Sequence, residues 1–220
     1  MRNTYRSIGN KEYWHKRWSE VDVDDETNDI NVDPLKYALM AVRRSGGPIL
    51  VAGCGNGRLL KYFHNRGHEI TGIDFIEVAI SKIIESDGKL KASVANILAT
   101  GLENSSFQTV LAFGLYHNLE FGLDDALTET LRILKPNGLC CASFRADNLH
   151  TRFTDWLSRS RSDDIKLVLN IFDKANYNAR LLTDLFNSYE FKSVIVYPVE
   201  NMTIFYRFAI FRQKSHRVFN

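Results

Sequence analysis

Short, continuous apolar runs alternate along this chain with longer segments in which apolar residues recur at helical spacing. Strands are predicted at the runs 49–52, 69–73, 91–95, 109–114 and 139–144. The continuous apolar run 49–52 is typical of a strand that is covered on both faces. The helical segments are 34–45, the stretch from the turn at 53–57 to about residue 66, 76–86 and 123–134. Strands that alternate with helices predict right-handed βαβ units and a parallel sheet.

The pattern changes after residue 147. Helical segments are predicted at about 148–159, 162–171 and 179–188, followed by strands at 191–197 and 203–212. The link between these two strands is too short for a parallel crossover and permits only a hairpin. The sequence therefore predicts a three-layer α/β fold with a seven-stranded, mostly parallel sheet that ends in a C-terminal antiparallel hairpin. The main domain is predicted at 34–220, with a helical insert at about 148–171.

The first 33 residues are predicted to form an N-terminal helix and a loop. Trp14 and Trp18 lie four positions apart, and therefore on one face of a helix over 10–19, with Tyr13 beside them. The acidic, Asn-rich stretch 20–33 has no apolar period and is predicted to be a loop.

Composition narrows the classes of protein to consider. The formal net charge is +2, which gives no global field to attract a polyanion, so nucleic acid is not expected as a partner. A basic cluster near the C-terminus, at 207–217, is interpreted as a solvated strand and tail. No apolar run is long enough to cross a bilayer, and the N-terminus lacks the features of a secretory signal. The three cysteines form no CxxC pair, which argues against a disulfide framework and against a zinc site. This use of cysteine is expected of a protein in the reducing cytoplasm.

A glycine-rich turn follows the first apolar run. Gly53, Gly55 and Gly57 follow a buried strand and open a helix, where a ligand can approach the backbone and its unpaired N–H groups. Arg58 takes the place of the last glycine of a dinucleotide-binding turn, and the ending of a P-loop is missing. This favours a ligand with an adenosine but no pyrophosphate. Asp74, roughly 20 residues further on, can accept hydrogen bonds from ribose hydroxyls or can cap the next helix.

Three ordered motifs carry a family resemblance. They are ILVAGCGNG at 49–57, GID at 72–74 and LRILKPNGL at 131–139. Together they resemble the class I methyltransferases, which have a Rossmann-like fold and use S-adenosyl-L-methionine. The resemblance is close over about 45–145 and looser up to the terminal hairpin.

The resemblance implies a set of cofactor-binding residues. The glycine turn packs under the methionine and ribose, Asp74 binds the ribose hydroxyls, and the others contact the adenine or the methionine. The set is Gly53, Cys54, Gly55, Gly57, Asp74, Phe75, Asn96, Ile97, Phe113 and Gly114. Two positions depart from the family: Val51 stands where an acidic residue often organises the methionine ammonium, and Asn96 stands where many relatives have an aspartate.

Candidates for catalysis follow the fourth apolar run. His117 lies at the carboxyl edge of the predicted sheet and has a pKa suited to proton transfer, so it is either a general base or a residue that orders the loop. Tyr116 and Asn118 are weaker candidates for the same role. Arg145 can pair with an anionic group of the substrate or lie on the surface. The resemblance implies that Tyr13, Trp14 and Trp18 contact the substrate from a lid, whereas the alternative is a helix packed on the sheet edge.

The expected function is transfer of a methyl group from S-adenosyl-L-methionine to an oxygen or nitrogen of a small molecule, by a monomer or homodimer. A nicotinamide-dependent oxidoreductase is disfavoured by Arg58 and by the terminal hairpin. A noncatalytic cofactor-binding module, kept open by Val51 and Asn96, and a methyltransferase acting on a protein remain alternatives. No Asp/Asn-Pro-Pro-Tyr motif, as used by amino-directed DNA methyltransferases, follows the fourth strand.

Overall fold

The computed structural model describes residues 9–21, 33–145, 191–198 and 206–213. The helices are α1 (Asn10–Glu20), α2 (Asp33–Ser45), α3 (Arg58–His64), α4 (Glu77–Ser86) and α5 (Leu123–Ile133). The strands are β1 (Ile49–Ala52), β2 (Ile70–Asp74), β3 (Lys91–Val94), β4 (Phe107–Ala112), β5 (Leu134–Arg145), β6 (Phe191–Pro198) and β7 (Tyr206–Gln213).

Five parallel strands in the order β3-β2-β1-β4-β5 form the sheet, which confirms the predicted α/β fold with a parallel sheet. After β3, the chain crosses back to the other side of β1, where β4 and then β5 are added to the sheet. The carboxyl ends of β1 and β4 therefore flank the point where the strand order switches. Open α/β sheets bind ligands at such a point. Beyond β5, the order continues with β7 and β6, each paired antiparallel to its neighbour.

The core lies on both faces of the sheet. Successive residues of β1 alternate between two apolar clusters: Ile49 and Val51 pack with α2, α3 and α4, whereas Leu50 and Ala52 pack with α5. All four residues of β1 are buried. A continuous apolar run was the expected signature of a strand covered on both sides, and the structure confirms it.

The start of β5 differs from the prediction. The sequence predicts a helix to about residue 134, a turn at 135–138 and a strand at 139–144, but β5 already begins at Leu134, which pairs with Phe107. The next paired residues are Thr109 and Leu139, so several residues of β5 oppose one of β4. The turn residues are absorbed as a bulge, where Asn137 has a φ of 65°.

Several predictions fall outside the described residues. These are the loop at 20–33 beyond residue 21, the helices at about 148–159, 162–171 and 179–188 with the insert they form, and the link between the last two strands. Among the residues that the structure does describe, no helix has the length and apolarity needed to span a membrane.

Candidate active site

A cavity of about 880 Å³ opens at the carboxyl ends of β1, β2 and β4. Its volume is in the range of small-molecule sites. Many of the predicted site residues line it: Trp14, Trp18, Gly53, Cys54, Gly55, Asp74, Phe75, Asn96, Ile97, Phe113 and Gly114. The structure therefore brings most of the predicted site residues together around one cavity.

The glycine turn requires its glycines for different reasons. Gly55 has a φ of +53°, and a Cβ built on it would lie 2.5 Å from Cζ2 of Trp18. Gly57 has a φ of +80° at the start of α3 and lies against Ile83 of α4 rather than on the cavity. Gly55 thus allows the close approach of Trp18 to the turn, and Gly57 allows α4 to pack against it.

Asp74 holds the turn and faces the cavity at the same time. One carboxylate oxygen, Oδ2, accepts a hydrogen bond of 2.9 Å from the amide of Gly55, and Oδ1 accepts one of 3.0 Å from the amide of Ile76. The residue is only 5 % exposed and lines the cavity. Each carboxylate oxygen has a second lone pair, so the structural bonds leave acceptor capacity for a ligand.

Burial affects both ionisable groups in this wall. It raises the pKa of the Asp74 carboxyl, while the amide hydrogen bonds act in the opposite direction. Burial, and then the nearby Asp74, raise the pKa of the Cys54 thiol well above its usual value. Because a thiolate is the reactive form of cysteine, Cys54 is held as an inert thiol in the cavity wall.

The far wall of the cavity is formed by Phe75 and by the segment after β3. Asn96 is exposed, and its Oδ1 accepts a hydrogen bond of 3.0 Å from the amide of Leu98. Ile97 is buried beside it. The Asn96 side chain is therefore fixed in a local turn, with an amide group left at the edge of the cavity.

The segment after β4 forms the opposite wall. Gly114, with a φ of +69°, donates its amide to Oγ of Ser143 at 2.8 Å, which ties the ends of β4 and β5 together. The side chain of Asn118 donates to the carbonyl of Gly114. Ser143 and Asn118 both line the cavity, so the wall is braced by its own polar groups.

His117 and Tyr116 lie behind this wall instead of on it. Tyr116 is completely buried, stacks on Phe144 and shares a hydrogen bond of 2.8 Å with Oγ1 of Thr130. His117 is 1 % exposed, with Nδ1 at 3.3 Å from the carbonyl of Ser143. The structure places Tyr116 in the core, and His117 is separated from the cavity by neighbours that line it.

Helix α1 covers the glycine turn. Trp14 and Trp18 stack with their ring centroids 5.5 Å apart, as their spacing predicts, and both line the cavity. Tyr13 packs edge-on against Trp14 and is not among the residues that line the cavity. Arg145 ends β5, and the placement of its side chain lies outside the described residues.

The start of α1 is attached to the segment after β4. The amide of Asn10 donates to Oε1 of Glu120 at 2.7 Å, and its side-chain Nδ2 donates to the carbonyl of Asn118 at 2.7 Å. The remaining oxygen, Oδ1 of Asn10, is buried and has no hydrogen-bond partner within the part of the chain that the structure describes. Asn10 also lines the cavity, so this oxygen is a candidate acceptor for a ligand.

Sequence reasoning missed several residues that line the cavity. They include Asn10, Lys11, Asn56, Arg58, Glu120 and Phe121. Asn56 and Arg58 lie within or just after the recognised glycine turn, and their positions could have been inferred from it. Asn10 and Glu120 meet across 110 residues of sequence, a separation that no local pattern encodes.

Part of this chain is similar to known methyltransferase domains. Residues 50–142 match the model of a family described as a methyltransferase domain. A thiopurine S-methyltransferase of Shewanella baltica is 24% identical over 117 residues, which cover 53% of this chain and 51% of that enzyme. The chain therefore spans about half the length of this relative.

Solved structures show the same fold. A protein of Pyrococcus horikoshii matches with a TM-score of 0.67 and 20% identity over 94% of this chain and all of the other. A 1,6-didemethyltoxoflavin-N1-methyltransferase of Burkholderia thailandensis, solved with bound 1,6-didemethyltoxoflavin and S-adenosylhomocysteine, matches with a TM-score of 0.62 and 14% identity. That match covers 96% of this chain and 93% of the other.

Proposed function

Since the chain carries a class I S-adenosylmethionine-dependent methyltransferase domain, we propose that it transfers a methyl group from this cofactor to an oxygen or nitrogen of a small molecule. The observation that carries the proposal is the Asp74 carboxylate, which braces the glycine turn and still faces the cavity. A carboxylate in that position can accept hydrogen bonds from ribose hydroxyls, and the turn gives a ligand close access to backbone amides.

The residues of the cavity fit the cofactor. Asp74 offers acceptors for the ribose, Phe75 and Ile97 offer apolar surface for the adenine, and Asn96 offers a carboxamide. The methionine ammonium needs acceptors, and the family's acidic residue is replaced by Val51. Oδ1 of Asn10 can supply one, since it is buried and has no donor among the described residues, and a buried carbonyl oxygen without a donor is unfavourable.

The bound cofactor supplies an electrophilic methyl group on a positively charged sulfur. The work left to this chain is to orient the acceptor and exclude water. Trp14 and Trp18 cover the cavity from α1, and Phe113 and Leu115 add apolar surface beside Gly114. A covered cavity of this size supports a small acceptor in preference to a polymer.

Sulfur is a second candidate for the methylated atom. The relatives matched by sequence are named as thiopurine S-methyltransferases. Neither His117 nor Tyr116 lines the cavity, and a thiol acceptor has the least need of a base because it ionises near neutrality. A noncatalytic module and a protein methyltransferase remain the alternatives that an acceptor screen distinguishes.

The remaining features of the architecture belong to the same proposal. The antiparallel pairing of β6 and β7 supports a hairpin that completes a seven-stranded sheet. Within the N-terminal unit 1–33, helix α1 is proposed to serve as a lid, and the insert at about 148–171 lies outside the described residues. The cysteines among the described residues are free and buried, which supports the cytoplasm. A monomer or homodimer is expected, without nucleic acid or membrane as a partner.

A methyl-transfer assay tests the proposal. The protein is incubated with S-adenosylmethionine carrying a tritiated methyl group and with matched small hydroxyl, amine and thiol compounds. Label transferred to a hydroxyl or amine supports the proposal, and label on the thiol alone supports the sulfur alternative. Binding of the cofactor without transfer to any compound supports the noncatalytic module or the protein methyltransferase over a small-molecule acceptor.

Phe121 is expected to contact the acceptor. Its ring is 74% exposed and lines the cavity, which places apolar surface at the opening. We expect Phe121→Ala to raise KM for an aromatic or apolar acceptor about tenfold, the effect of losing an aromatic contact of 1–2 kcal/mol. Affinity for S-adenosylhomocysteine and the melting temperature should not change. Ile84→Ala, which removes another exposed apolar side chain but one outside the cavity lining, is the matched control. An unchanged KM would show that the acceptor does not reach Phe121.

His117 is expected to order the wall and not to take a proton from the acceptor. It is buried and contacts Ser143 and Asn118, which line the cavity. We expect His117→Ala to slow turnover with cofactor affinity nearly unchanged, and His117→Gln to recover part of the rate, since an amide can replace the ring hydrogen bonds. The pH profile of kcat should keep its shape in both variants. Loss of a limb near the ordinary pKa of histidine would instead identify His117 as the base.

A further inference from the structure

Helix α1 is poorly held by its own packing. It has 11 residues, and none of them is fully buried. Isolated helices of this length are marginal in water, so the position of α1 depends on the contacts it makes with the rest of the domain. Its first residue is attached to Asn118 and Glu120, as described above. At the other end of the helix, one side chain binds several backbone carbonyls.

That side chain is Lys82 of α4. Its ammonium donates to the carbonyls of Trp18, Ser19 and Val21 at 3.0, 2.8 and 3.0 Å. An ammonium has three donors, so all of them are used on the end of α1. The last carbonyls of a helix lack partners within the helix and carry partial negative charge, which makes a cation there favourable.

Helix α4 also packs against the glycine turn. Ile83, next to Lys82, lies against Gly57, where a Cβ would be 2.9 Å from its side chain. Lys82 binds the carbonyl of Trp18, and the indole of Trp18 lies against Gly55. Adjacent residues of α4 therefore contact both the glycine turn and the residue that covers it.

We propose that Lys82 is a positioning residue that sets the distance between Trp18 and the glycine turn, and thereby controls cofactor affinity without touching the cofactor. This inference rests on the proposed function. Lys82 does not line the cavity, whereas Trp18 and Gly55 do. Removing the ammonium leaves three carbonyls to be solvated and frees the C-terminal half of α1 from the turn.

The test uses the full chain with Lys82→Met, which keeps the length and apolar stem of the side chain but removes its donors. We expect the Kd for S-adenosylhomocysteine, measured by calorimetry, to rise roughly tenfold, the scale of hydrogen bonds to a charged group. Lys82→Arg retains charge and donors and should restore most of the affinity. Lys89→Met is the matched control, because Lys89 is exposed shortly after α4 and is absent from the cavity wall.

A second readout follows α1 without any ligand. In a Trp156→Phe background, Trp14 and Trp18 are the only tryptophans left in the chain. We expect Lys82→Met to increase acrylamide quenching of their fluorescence, while Lys82→Arg and Lys89→Met leave it near the parent value. The melting temperature reports whether the variants remain folded.

The outcomes separate this inference from the proposed function. If the parent protein binds S-adenosylhomocysteine and folded Lys82→Met binds it equally well, the inference is overturned and the proposed function stands. If the parent protein does not bind it, the proposed function fails, while the quenching experiment still decides whether Lys82 positions α1. Unchanged quenching in Lys82→Met would overturn the positioning role itself.

Discussion

Replacing Asp74 with alanine is expected to weaken binding of S-adenosylmethionine by about 1–3 kcal/mol, the range for charge-assisted hydrogen bonds to hydroxyls. The same change should also destabilise the fold, because the buried amides of Gly55 and Ile76 lose their acceptor. Each unsatisfied buried donor costs about 1–3 kcal/mol. Calorimetric titration measures the first effect, and urea unfolding measures the second.

Asp87→Ala is the matched control for Asp74→Ala. Asp87 accepts a hydrogen bond of 3.0 Å from the amide of Lys89, a local turn of the same kind, and it is not part of the cavity wall. The Asp87→Ala variant should have a slightly lower free energy of unfolding and an unchanged affinity for the cofactor. Full affinity in a folded Asp74→Ala variant would show that Asp74 does not bind the ribose and has only a structural role.

Gly55→Ala is expected to have the second large effect. The new methyl would lie 2.5 Å from Cζ2 of Trp18, a distance that no packed pair of carbons tolerates. Because α1 is attached at both ends, the indole cannot move away without breaking those contacts. We expect affinity for S-adenosylhomocysteine to fall by roughly 2 kcal/mol or more, the scale of an overpacked contact, with a change in tryptophan fluorescence.

Gly101→Ala separates the contact from backbone strain. Gly101 also has a positive φ, of +72°, but a Cβ there would meet nothing within 4 Å. Both variants carry the cost of a left-handed alanine, about 1–2 kcal/mol, and only Gly55→Ala carries the clash. Equal losses of affinity in the two variants would contradict the close approach of Trp18 to the turn.

The features that the sequence predicted are those with a local cause. The run 49–52 is apolar at every position because both faces of β1 are covered, and the glycine turn follows it directly. The end of β2 at Asp74 follows from the same reasoning. The position of Trp14 and Trp18 on one face of α1, where they stack, follows from helical spacing.

The features that the sequence did not predict depend on distant contacts. Lys82 lies 64 residues from Trp18 and Asn10 lies 108 residues from Asn118, so neither end of α1 could be placed from local pattern. Tyr116 resembled a catalytic group because it precedes His117 after β4. The short 3₁₀ helix at Tyr116–Asn118 turns both side chains inward instead, and the tyrosine hydroxyl is used by Thr130.

The most direct test of the central claim is isothermal titration of the protein with S-adenosylmethionine and S-adenosylhomocysteine, with NADH as the control. We predict micromolar binding of the first two and none of NADH. The cavity offers a ribose acceptor, and its glycine turn has Arg58 in place of the last glycine of a dinucleotide-binding turn. Binding of NADH alone, or of none of the three, would contradict the assignment of this cavity to S-adenosylmethionine.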